Sequence, residues 1–137
     1  MNAPSLVIFY GPSGSGKTRL LKYMEELLSN QPDCLVLRCC TSDLVDRLVD
    51  SLKHGVYEQF LSSLMIYQAL LIDNIWILSG KVHTAKGIFS IFERLIHRGR
   101  AVVIASDLKP SVISGWSEDI SDMIRQSRVF KIDSLKV

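Results

Sequence analysis

The sequence predicts a three-layer α/β/α sandwich around a mainly parallel five-stranded sheet, because apolar runs of strand length alternate with helical patterns along the chain. A glycine-rich stretch separates the first run from the first helix, and a later run, Ala69-Leu70-Leu71-Ile72-Asp73, closes on an acid. In a parallel sheet both features fall at the edge formed by the strand C-termini. With 137 residues and a hydrophobic share of 47%, the chain is expected to form one domain, residues 1–137, with ample apolar volume for a core.

Ser5 to Tyr10 is rich in branched and aromatic residues, which suits a buried parallel strand. Leu20, Leu21, Met24, Leu27 and Leu28 recur at helical spacing until Asn30 and Pro32 interrupt them. Cys34 to Cys39 reads as the second strand. Thr41 or Ser42, followed by Asp43, resembles a cap for a helix carrying Leu44, Val45, Leu48, Val49 and Leu52 that should stop near Gly55. A short helix is expected at residues 57–61, and the central strand at 69–73. Ile88, Phe89, Ile91, Phe92, Leu95 and Ile96 give the next helix its apolar face, ending at Arg98-Gly99. Ala101 to Ala105 is the fourth strand, with Ser106 and Asp107 at its C-terminal end. Pro110 opens a loop, Ser117-Glu118-Asp119 has the composition of a first helical turn, and Val129 to Ile132 is the fifth strand.

Tyr10-Gly11-Pro12-Ser13-Gly14-Ser15-Gly16-Lys17-Thr18 fits the pattern Gly-x4-Gly-Lys-[Ser/Thr], with the preceding strand and following helix that this pattern requires. Its glycines permit a backbone path whose N–H groups converge on phosphate oxygens, and the helix dipole points its positive end to the same place. Gly11, Pro12, Ser13, Gly14, Ser15, Gly16, Lys17, Thr18 and Arg19 are therefore the expected nucleotide contacts. Lys17 is expected to reach the β- and γ-phosphates, while Thr18 and Asp73 face a magnesium ion. Ser106 or Asp107 is placed to hydrogen-bond the γ-phosphate or an attacking water. No Asn-Lys-x-Asp pattern for reading guanine is present, which disfavours GTP.

Composition narrows the alternatives. A formal net charge of +2 is too small to imply a polyanion partner by itself. Lys81, His83, Lys86, His97, Arg98 and Arg100 would suffice for a modest basic face toward DNA, but a solvated helix surface uses the same residues. Cys34, Cys39 and Cys40 lack metal-ligand spacing and fit free thiols of a reducing cytoplasm. His54, His83 and His97 are scattered and form no triad, and Trp76 and Trp116 are expected to pack on the core. No apolar run has the length of a membrane span and the N-terminus has no secretion signal, so a cytoplasmic location without a membrane partner is expected.

Two further stretches are more specific than the glycine loop. Leu70-Leu71-Ile72-Asp73-Asn74-Ile75 continues into Leu78-Ser79-Gly80-Lys81, and Ala105-Ser106-Asp107-Leu108-Lys109-Pro110 follows the fourth strand. Together with residues 6–21 and the segment from Thr41 to Phe60, they resemble the AAA+ ATPase core of the bacterial replication initiator DnaA and its regulatory homologue of the Hda type. By this resemblance the first segment is Walker A, the second Walker B with its following loop, and the third the sensor 1 region. It implies ATP or ADP with magnesium as ligands, a protein partner in replication control, and Lys17, Asp73, Asn74, Ser106 and Asp107 as the catalytic candidates.

Four departures qualify what the resemblance implies. Asn74 stands where the initiator has a second acid, and an amide cannot accept a proton from water, so slow hydrolysis with intact nucleotide binding is expected. Phe60-Leu61-Ser62-Ser63-Leu64 is neutral where the initiator carries basic residues that engage single-stranded DNA. Aligned on Gly115 in Ser114-Gly115-Trp116, Asp119 and Met123 fall at the expected arginine-finger positions, with Arg125 out of step, which argues against nucleotide-driven filament growth. Finally, these residues are expected to hold the core without the lid, sensor 2 arginine, adenine-contacting segment or duplex-DNA-binding domain, so the base would be held loosely. An active AAA+ ATPase, in which Ser106, Asp107 or a partner residue compensates for Asn74, and a single-stranded-DNA-binding module are the alternative readings.

Overall fold

A computed structural model describes residues 6–113 and 115–133. Ser5, expected at the start of the first strand, and Ser114 lie outside the described residues. In chain order the elements are β1 (Leu6–Tyr10), α1 (Lys17–Ser29), β2 (Val36–Cys40), α2 (Thr41–Lys53), α3 (Tyr57–Leu64), β3 (Ala69–Asp73), α4 (Val82–His97), β4 (Ala101–Ser106), α5 (Glu118–Gln126) and β5 (Arg128–Lys131). They form one five-stranded sheet of order β2-β3-β4-β1-β5 with every pairing parallel, as the alternating pattern predicts.

Alternation along each strand divides the core into two layers. Leu6, Ile8, Leu70, Ile72, Val102 and Ile104 face the larger one, where Leu44 and Leu48 of α2, Leu61 and Leu64 of α3, six residues of α4 and Ile120 of α5 meet them. Leu71, Val103 and Ala105 face the opposite way onto Leu21 of α1, with Val7, Phe9, Met24 and Val36 at the margin. β3 and β4 are covered on both faces, which is why they read as unbroken apolar runs. At the edge, all four residues of β5 are exposed, and Phe130 contributes by leaning on Phe9 at 5.7 Å between ring centroids.

Three element ends differ from the sequence expectation. The second strand begins at Val36 rather than Cys34, because the Leu35 N–H donates to the Gln68 side chain at 2.7 Å while the Gln68 N–H donates to the Leu35 carbonyl at 2.8 Å. Neither Thr41 nor Ser42 caps α2: Cys40 holds the cap position without a side-chain bond, and Thr41 is the first residue of the helix. Ile132 falls just past β5, yet its N–H still donates to the Tyr10 carbonyl at 2.7 Å. Ser117 does cap α5, accepting from the Ile120 N–H.

Trp116 packs as expected, edge-on to Phe89 at 5.3 Å, and its Nε1 donates to the Pro110 carbonyl at 2.8 Å. Trp76 does not, contrary to expectation: it is exposed and belongs to neither core layer. Among the described residues no helix is long and apolar enough to cross a membrane.

Cys39 leans on the larger core from β2. Burial, then its neighbour Cys40, and less strongly Asp43, push its thiol from 9.0 up to about 11, with Arg47 opposing. Between those values the folded chain keeps a proton that the unfolded chain has lost, so this group's contribution to stability falls as pH rises through the window. Urea midpoints measured at pH 9 and pH 11 should show a smaller decline for Cys39→Ala than for the unmodified chain.

Candidate nucleotide site

Parallel strands bring the ends of β1, β3 and β4 to one edge, and the chain places its polar residues there. The glycine stretch leaves β1, makes a turn closed by the Ser15 N–H on the Pro12 carbonyl at 3.1 Å, and enters α1 at Lys17. Gly16 precedes the helix with φ 101°, a left-handed conformation that side chains resist. Gly11 is required for another reason: a Cβ there would collide with the Ile132 carbonyl just past β5. Both glycines follow from the backbone path. As in any helix, the first-turn N–H groups of α1 have no acceptor within it.

Lys17 is buried beneath this loop. Its ammonium donates to the Gly11 carbonyl at 2.6 Å, the Pro12 carbonyl at 2.8 Å and Ser15 Oγ at 3.3 Å, and pairs with Asp107 Oδ1 at 3.1 Å. Thr18 Oγ1 donates to Asp73 Oδ2 at 2.8 Å, linking α1 to the end of β3. These contacts surround a cavity of about 410 Å³ lined by Ser13, Gly14, Gly16, Lys17, Thr18, Arg19, Asp73, Asn74 and Asp107.

The remaining candidates sit differently. Gly11, Pro12 and Ser15 shape the loop from behind and supply acceptors to Lys17 without lining the cavity. Ser106 is fully buried at the end of β4, where its hydroxyl donates to the Leu108 carbonyl at 2.7 Å and accepts from the Leu108 N–H at 3.2 Å. It braces the turn that carries Asp107. Asn74 borders the cavity in a left-handed conformation, φ 69° and ψ 53°, which asparagine tolerates better than most residues. Its Oδ1 is enclosed and, among the described residues, has no hydrogen-bond partner.

Sequence reading missed the role of Thr41. Wholly buried at the start of α2, it donates from Oγ1 to the Asp73 carbonyl at 2.9 Å. Asp73 is thereby fixed through its backbone by α2 and through its carboxylate by α1. The only hint was a threonine directly after a parallel strand whose neighbour ends in the acid, and that pairing becomes visible once Cys40 is seen opposite Asp73.

The residues considered as a basic face do not gather into one. Lys81 and His83 lie at the start of α4 and His97 at its other end, roughly 20 Å away at the helical rise per residue. Arg100 is engaged elsewhere, donating to the Met65 carbonyl from Nε at 2.9 Å and from Nη2 at 2.7 Å. Arg125 pairs with Asp122 on α5.

A magnesium ion fits this donor set. Thr18 and Asp73 present hard oxygens side by side, and magnesium takes one or two protein oxygens while phosphate and water supply the rest. Among the described residues there is no group of three or more His, Cys, Asp or Glu that could hold a metal by itself.

A parallel α/β sheet with a phosphate loop after β1 and an acid closing β3 defines a P-loop domain of the AAA+ type. Residues 2–129 match the bacterial DnaA ATPase domain, and the chain belongs to that family. It is 30% identical over 129 residues to the chromosomal replication initiator protein DnaA of Thermotoga petrophila, covering 93% of this chain but 29% of the relative. Domain III of the Thermotoga maritima replication initiation protein DnaA superposes with a TM-score of 0.87 at 29% identity, covering 95% of this chain and 55% of that one. The replication initiator DnaA bound to AMPPCP and single-stranded DNA gives 0.84 at 26% identity, covering 93% and 40%.

The bond from Thr41 should carry measurable stability. Thr41→Val keeps the side-chain shape but removes the donor to the Asp73 carbonyl, so urea unfolding should show a loss of about 1–3 kcal/mol.

Proposed function

We propose that this domain binds ATP or ADP together with magnesium, hydrolyses ATP slowly or not at all, and acts through protein contacts in the control of DNA replication initiation. The observation that carries the reading is the convergence of Lys17, Thr18 and Asp73 on one cavity, with Thr18 and Asp73 already in contact at 2.8 Å. Loop N–H groups and Lys17 would hold the phosphates, and Thr18 with Asp73 would hold the metal. Bound magnesium would neutralise phosphate charge and orient the β- and γ-oxygens. AMPPCP in the related initiator supports an adenine nucleotide here.

Slow hydrolysis follows from what faces the phosphates. Asn74 cannot take a proton from water, and its carbonyl oxygen is enclosed by protein. Ser106 spends its hydroxyl on Leu108, so it is not disposed to activate water in its place. These engagements weigh against the active-ATPase reading.

Single-strand binding finds less support. α3 carries Ser62 and Ser63 on its exposed side, and its only charged residue is Glu58, so this helix offers no cation to a phosphate backbone. A nucleotide-dependent role carried by protein contacts is what these features favour.

Single-turnover assays with ATP and magnesium test this reading. Asn74→Asp should hydrolyse bound ATP about 10- to 100-fold faster than the unmodified chain, because a general base at this position restores proton acceptance. Equal rates in both, lost in Lys17→Ala, would mean that water is activated elsewhere.

A further inference from the structure

α2 carries two faces of different use. Thr41, Leu44, Leu48 and Ser51 are buried against the domain. Val45, Val49, Leu52 and Val56 follow a second line at intervals of four, three and four residues, the repeat of a seam between paired helices. Val45 rests on the margin of the larger core, but Val49 is 42% exposed, Leu52 60% and Val56 39%. Val56 lies just beyond the end of α2 and is held in line by its N–H, which donates to the Ser51 carbonyl at 2.9 Å. Exposed apolar residues scattered singly are ordinary. Aligned along one side of a helix, they form a surface shaped for another helix.

Charge identifies the occupant. Asp46 and Lys53, seven residues apart, lie on the same flank of the stripe, and both are exposed. Among the described residues neither forms an ion pair, whereas nearby Asp50 and Glu58 are paired with His54 and Arg94. A helix that fits must offer an apolar stripe of the same spacing, with a cation opposite Asp46 and an acid opposite Lys53. α2 of a second copy, running antiparallel across a two-fold axis, offers all three. Val49 then meets Leu52 of the second copy, Val45 meets its Val56, and Asp46 meets its Lys53, each contact being made twice. In a parallel pair the two charged flanks lie on opposite sides of the seam and cannot meet.

We propose that α2 is a self-association surface through which two copies of this chain pair antiparallel, without nucleotide. With three exposed apolar side chains per copy, the contact falls at the low end of specific interfaces, below about 1,200 Å², and its dissociation constant is on the order of 10–100 µM. Because the same patch is used on both copies, assembly closes at two. The inference does not rest on the nucleotide reading, since none of these residues lines the cavity around Lys17 and Asp73.

Sedimentation equilibrium of the full chain without nucleotide, from about 5 µM to about 500 µM, tests the proposal. The unmodified chain should fit a monomer–dimer equilibrium. Leu52→Ser should weaken that equilibrium at least about tenfold, and because this side chain is exposed, the urea midpoint at low concentration should match that of the unmodified chain. Asp46→Lys and Lys53→Asp each set like charges opposite one another twice and should weaken the dimer about tenfold. The double variant Asp46→Lys/Lys53→Asp restores the attraction and should return to within about threefold of the unmodified value, a rescue that a role in folding does not produce. A monomer across the whole range would overturn the proposal and leave the stripe to a helix of another protein. So would growth beyond the dimer, self-association untouched by Leu52→Ser, or a double variant no better than the single ones.

Discussion

The hydrogen bond from Thr18 to Asp73 joins the first helix to the end of a central strand, and the geometry of the site depends on those two elements keeping their relative position. The bond itself is exposed and adds little to stability. Its position is fixed instead by the core on either side. Leu21 of α1 packs on Leu71 and Val103, while Ile72 and Leu70 anchor the other face of the same strand under α2, α3 and α4. With Thr41 holding the Asp73 carbonyl, the acid is constrained from three directions and needs no freedom of its own. A stiff, partly preformed oxygen pair costs less ordering entropy when it meets a metal.

Electrostatic balance gives the site its second character. Lys17 and Arg19 are offset by Asp73 and Asp107, so the lining side chains do not form the one-signed field by which many clefts concentrate anions. Attraction for phosphate would come instead from oriented dipoles, the N–H groups at the start of α1 and the glycine turn, whose strength does not depend on ionisation. The neutral α3 surface and the dispersal of basic residues along α4 carry the same economy of charge into the rest of the molecule. Family membership is secure over residues 2–129, yet the chain spans only 29% of its T. petrophila relative. What the whole initiator does in that organism therefore reaches this domain only through its own residues.

Much of this was legible before any coordinates. The alternation of apolar runs specified the parallel sheet, since strands buried on both faces leave a continuous signature in Leu70-Leu71-Ile72 and Val102-Val103-Ile104. The glycine turn after β1 and the position of Asp73 at the end of β3 were equally visible, because a turn with left-handed backbone and a close chain approach has few residue choices. Hidden features were those set by distance between strands. Nothing local marks Thr41 as a donor to Asp73, or Asp107 as the partner of Lys17, or Gly11 as a residue pressed against the Ile132 carbonyl. Ser106 shows the converse: placed correctly at the strand end, it turns inward to its own loop, a choice of rotamer that spacing does not encode.

The central claim is that the glycine turn and Asp73 close around a single polyphosphate and its metal. Calorimetric titration with ADP in the presence of magnesium, on the unmodified chain and on Asp73→Ala, examines it most directly. The account predicts saturable one-to-one binding that magnesium strengthens in the unmodified chain, and loss of that strengthening in Asp73→Ala. Absence of saturable binding, or a magnesium effect that survives removal of the Asp73 carboxylate, would contradict it.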